Sequence, residues 1–179
     1  LYGRYELFLR RCESDIHSLV GVSGSFYAQR RTLCPNFPEG LAPDFLAALH
    51  AVSEGYRAVG EPKAVGWMSA VGSSRDEFRR KARTLLRGMA ALRAYAHLLN
   101  PWRAGVFAWF LWSHKVMRWL VPFFLLAMVA ANLALLRETP YAVIGVAHGL
   151  FYAIGLLALA GVGSATKGGK FAGYFLNVN

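Results

Sequence analysis

The sequence predicts a mixed α/β segment followed by interfacial and membrane-spanning α-helices. Three observations predict it. Short pieces punctuated by Gly and Pro alternate with helical patterns as far as Gly72, a basic helix follows, and two long uncharged apolar runs come last. Hydrophobic residues make up 55% of the 179, more than an ordinary soluble domain carries, and they crowd toward the C-terminal end. The formal charge is +10, which fits nucleic acid, anionic lipid or a phosphorylated substrate. Position separates these. Ten of the twenty Lys and Arg fall between Arg75 and Arg118, directly before the first apolar run, a bias that favours lipid headgroups on the cytoplasmic side. No RNP, zinc-finger or helix-turn-helix pattern is visible, so nucleic acid is not an expected partner.

Residues 1–73 read as the soluble α/β part. LYGRYELFLRRCESDIHSLV places Tyr5, Phe8, Leu9, Cys12 and Ile16 near one helical face. Gly21 and Gly24 then frame a turn before a strand-like piece, Ser25 to Gln29, and Asn36 to Pro43 is a loop. Asp44 starts a helix, DFLAALHAVSEG, closed by Gly55. YRAVGEPKAVGWM offers one strand on each side of a Glu61-Pro62 turn.

Residues 74–118 carry the basic and interfacial helices. Ser74 to Glu77 is an S-x-x-E capping box that opens a helix from Arg75 to about Leu99. Phe78, Ala82, Leu85, Met89, Leu92, Ala96 and Leu99 form an apolar stripe on it, which needs the soluble part or a membrane surface as partner. Asn100-Pro101 breaks that helix. The Trp-rich run up to Arg118 suits a headgroup layer. Residues 119–179 hold the membrane hairpin and the start of a third apolar segment. Trp119 to Leu136 is uncharged for 18 residues, roughly 27 Å at 1.5 Å per residue, enough to cross a hydrocarbon core. Arg137 to Pro140 turns the chain, and Tyr141 to Val162 is a second uncharged run of 22 residues. The charge bias places the soluble part and the basic helix on the cytoplasmic side of a membrane crossed more than once.

Few residues carry chemistry by themselves. Cys12 and Cys34 lack metal-ligand spacing and read as reduced thiols. The five His show no ligand spacing either, and Glu6 and Glu13, seven apart on a helix, read as structural. Asp44 is placed either to cap its helix or to act as a carboxylate base. Arg80, Arg83 and Arg87 form a polar line at helical spacing that could equally be a solvated or lipid-facing face.

Taken in order, GVSGSFYAQRR, PDF, a helix ending in GYR, EPKA and FRRKARTLLRG resemble the membrane-bound family 2 glycosyltransferases, with bacterial polysaccharide synthases as the nearest likeness. The resemblance implies the acceptor-side, C-terminal part of a GT-A catalytic domain followed by membrane helices. It implies an enzyme that transfers a sugar, with inversion, from a nucleotide-sugar donor to a glycan or lipid-linked acceptor at the membrane lipid surface. Asp44 matches the family's catalytic base, with Pro43 where an acid or small polar residue is usual. Arg80, Lys81 and Arg83 match the Q-x-x-R-W element near the donor diphosphate, with Thr84 in place of the Trp. Gly21, Gly24 and Arg30 match the glycine-containing segment of the acceptor site. A divalent metal, Mg or Mn, is implied for the full-length enzyme. No D-x-D occurs in this chain, so its ligands and the donor pocket are expected upstream of Leu1. The alternative from another class is a non-enzymatic module that anchors in the membrane and binds anionic lipid.

Overall fold

A computed structural model describes residues 2–34, 38–67, 74–163 and 166–178. Eight α-helices occur among them: α1 Tyr2–Ile16, α2 Pro43–Ser53, α3 Ser74–Ala94, α4 Pro101–Ala104, α5 Val106–Leu111, α6 Met117–Ala134, α7 Thr139–Leu159 and α8 Lys167–Val178. Short 3-10 turns cover Arg31–Leu33 and Ala96–Leu99, and a π-turn covers Trp112–Val116. The chain divides into two units, Leu1–Val116 and Met117–Asn179.

The α/β expectation is overturned, because the described residues form an all-α chain without a strand. Ser25 to Gln29 is irregular, and so are the described pieces flanking Glu61-Pro62, although the turn itself forms, with Ala64 N–H donating to Glu61 O at 3.1 Å. Met68, the last residue of the second candidate strand, lies outside the described residues. The physical reason is a missing ladder. Leu19 N–H donates to Ala58 O at 2.8 Å, as a strand pair would, but the Ser18 hydroxyl takes the next donor, Ala58 N–H, at 3.0 Å. A side-chain hydroxyl that captures a backbone donor halts pairing, and a lone short pair is not stable by itself.

In the first unit α2 is the central helix. Phe45, Leu46, Ala47, Ala48, Leu49 and Ala51 are all buried, against Leu19, Val20, Ala91, Leu92, Leu98, Phe107, Ala108 and Leu111 of the same core. Pro43 occupies the first helical turn, where its missing N–H costs nothing. The far end is a Schellman motif: Tyr56 N–H donates to Ala51 O at 2.8 Å and Gly55 N–H to Val52 O at 3.0 Å, with Gly55 at φ +79°. Two further bonds fasten this end, His50 Nδ1 with the Tyr95 hydroxyl at 3.0 Å and Ser53 Oγ with His97 Nε2 at 3.1 Å. Burial and the nearby Glu54 carboxylate push the Tyr95 phenol above its ordinary range, keeping it protonated.

The helix after the Ser74–Glu77 box ends at Ala94, and the side chains of that box and of Phe78 lie outside the described residues. Asn100 then caps α4, its Oδ1 accepting from Trp102 N–H at 2.9 Å.

The second unit is a stack of three helices. Asn132 of α6 is buried and its Nδ2 donates to Tyr141 O of α7 at 3.0 Å, which closes the hairpin. Gly155 of α7 lets α8 approach so closely that a Cβ there would lie 3.0 Å from Ala172 O. Two helical stretches are long and apolar enough to cross a membrane, Val106–Ala134 with mean hydropathy 1.8 and Thr139–Leu159 with 2.0.

Candidate functional site

The site is built around the start of α2. Ala42 is the N-cap and makes no side-chain cap bond, so Asp44 sits two residues inside the helix as its first-turn acid. A carboxylate there is stabilised by the helix dipole. It is half-buried, which leaves it reachable from solvent. Gly24, twenty residues upstream, lies against it: a Cβ on Gly24 would stand 2.9 Å from Asp44 Oδ2. Any other residue would push that carboxylate aside, so glycine here keeps the acid in place.

Gly21 of the same segment faces Phe45 and Lys115, since a Cβ on it would lie 3.8 Å from Phe45 Cδ2 and 3.8 Å from Lys115 Nζ. The Lys115 ammonium stands over the Phe45 ring, 4.8 Å from its centre, a favourable cation–π geometry. A cation is thereby held beside the residue that follows Asp44. Arg30 lies apart from this group, with its guanidinium 5.8 Å from the Tyr56 ring centre.

The basic residues of α3 sort differently from their sequence spacing. Arg80 and Arg83 are exposed and Lys81 is half-buried. Arg87 is the member of this line that reaches the loop before α2. It lines a cleft of about 480 Å3 with Pro38, Glu39, Gly40, Leu41, Pro43 and Leu46. The structure therefore brings Gly24 to Asp44 and Gly21 to its neighbour Phe45, and places Arg87, read from spacing as part of a solvated or lipid-facing face, in the cleft beside the start of α2.

Sequence reasoning missed Glu13, His114 and Lys115 as parts of this neighbourhood. Glu13 is only 6% exposed. Its Oε2 accepts from Val20 N–H at 3.1 Å, and its Oε1 is paired with His114 Nδ1. The signal in the sequence was weak: a glutamate on the side of α1 near Cys12 and Ile16, with its partner 101 residues away.

Chemically, the arrangement offers one accessible carboxylate at a helix start with a nearby ammonium. Among the described residues no group of three His, Cys, Asp or Glu converges to hold a metal ion. The described residues alone do not assemble a site for a divalent metal. Neither a protein-family model, nor a curated protein, nor a solved structure matches this chain.

Proposed function

We propose that this chain is the acceptor-side and membrane part of a membrane-bound glycosyltransferase, with Asp44 as the base. The reading rests on the ordered motifs named above. Its one structural support is the apposition of Gly24 and Asp44, which meet across twenty positions. In the proposed reaction Asp44 takes the proton from an acceptor hydroxyl. That oxygen attacks the anomeric carbon of a nucleotide sugar, and the bond from that carbon to the diphosphate oxygen breaks, which inverts the centre. A sugar hydroxyl is a weak nucleophile until a placed base removes its proton. Arg80, Lys81 and Arg83 neutralise the departing diphosphate, and the donor-binding half is supplied by residues outside this chain. The reaction takes place at the cytoplasmic face of an inner membrane, in keeping with the basic run before the first apolar helix.

A second reading, a lipid-binding anchor without chemistry, is favoured by one observation. The outward face of α3 carries Arg79, Arg83 and Arg93 beside exposed Leu86 and Met89, the composition of a helix lying on an anionic bilayer.

Turnover of radiolabelled nucleotide sugars by the complete protein in vesicles separates the two. Asp44→Asn is expected to lower transfer about 100- to 10,000-fold while the protein stays in the membrane. Normal turnover by that variant refutes the base assignment. Arg83→Ala is expected to reduce transfer strongly and Arg79→Ala little, whereas equal effects favour the lipid-binding face.

A further inference from the structure

We infer that Glu13 and His114 are a positioning pair for the Asp44 site, an inference that rests on the reading of Asp44 as the base. A carboxylate removed from water is costly unless its oxygens are partnered. Glu13 meets that requirement with two partners on opposite sides: Val20 N–H at 3.1 Å on Oε2, and His114 Nδ1 on Oε1. Val20, 2% exposed, opens the segment that ends at Gly24, and Gly24 lies on the Asp44 carboxylate. Holding Val20 thus holds the wall against which Asp44 rests.

The other half of the device is the π-turn Trp112–Val116. In a regular α-helix consecutive side chains diverge by about 100°, so neighbours rarely serve one site. Here His114 reaches Glu13 of α1 while Lys115 reaches Phe45 of α2, its Nζ 3.8 Å from where a Cβ on Gly21 would stand. Two adjacent residues therefore grip the helices on either side of the glycine segment. Single π-turns of this kind concentrate at functional sites. His114 is itself fixed by stacking on Phe110, ring centres 6.1 Å apart and planes 8° from parallel. Neither Glu13 nor His114 touches Asp44, so each acts through the position of Val20 to Gly24 and not on the substrate.

The test uses the complete protein in vesicles, the same radiolabelled nucleotide sugars, and amide hydrogen exchange over residues 18–24. Glu13→Ala and His114→Phe are expected to lower kcat about 10- to 100-fold, the scale of a small misplacement at a reacting centre. The KM for donor is expected to move less than about twofold. His114→Gln, whose amide can still donate to Glu13, is expected to restore both parameters. In parallel, exchange over 18–24 accelerates in the first two variants, while the amides of α2 keep their protection. Unchanged exchange in both variants overturns the inference. So does wild-type kcat in both when Asp44→Asn is inactive. If Glu13→Ala fails to fold, the contrast between His114→Phe and His114→Gln decides alone. Should Asp44→Asn prove active, the base reading fails, and the exchange result by itself decides whether the pair holds the segment.

Discussion

Arg57 shows how much one side chain can organise in the first unit. Its Nη2 donates to Ser14 O at 2.7 Å and its Nε to His17 O, which satisfies carbonyls that the end of α1 leaves open. Its charge also acts on the imidazole of His17. Burial first, and the Arg57 charge second, hold His17 below its usual pKa of 6.5. The His17 ring also lies beside Phe107, with centres 5.9 Å apart. Between the lowered pKa and 6.5 the unfolded chain binds a proton that the folded chain does not. Stability is therefore complete above pH 6.5 and is lost as the pH falls below it. Thermal midpoints of the detergent-solubilised protein should fall between pH 7 and pH 5, and His17→Gln should flatten that slope. Equal slopes for the two proteins would remove His17 as the cause. In the sequence Arg57 was visible only as the last letter of a GYR motif. Its role depends on Ser14 and His17, more than forty residues away in one case, and periodicity has no access to such a partner.

Among the elements, α2 was the most legible and α3 the least. The helix begins at Pro43, one residue before the expected start at Asp44, and Gly55 closes it by a local rule, adopting a left-handed φ of +79°. An Ala at that position meets the left-handed penalty, so Gly55→Ala should destabilise the protein by about 1 kcal/mol. Denaturant midpoints would register the loss, and an unchanged midpoint would mean that an alanine bears no left-handed strain at this position. For α3 the expected stripe was displaced. Leu92 is buried, but Leu85 and Met89 are 41% and 48% exposed, whereas Gly88 and Ala91 are covered. α3 packs against α2, and the covered line follows Gly88, Ala91 and Leu92 and not Leu85 and Met89. Periodicity reports which face is apolar, and packing selects the face that fits.

At the scale of the molecule, the described residues form two helical units, and the outward surfaces of the apolar helices are bare. Within the most apolar windows of Val106–Ala134 and Thr139–Leu159 only 6% of residues are buried by the protein. Continuous apolar surface of that extent requires lipid or a partner to cover it. The chain should therefore remain with the bilayer after an alkaline carbonate wash of membranes. Release into the supernatant would mean that protein, and not lipid, covers these helices.

The sequence by itself determined the features that depend on near neighbours. Apolar length set the two long helices, Gly55 set the C-terminal limit of α2, and the Glu61-Pro62 pair set a turn, because backbone preference and hydrophobic periodicity act over a few residues. Tertiary structure decided whatever needs a distant partner. It replaced the expected strands by irregular chain, since a ladder exists only when a second strand supplies its donors and acceptors. It also brought Gly24 onto Asp44 and joined Glu13 to His114 across 101 positions, since a buried carboxylate is stable only where the fold delivers its hydrogen-bond partners.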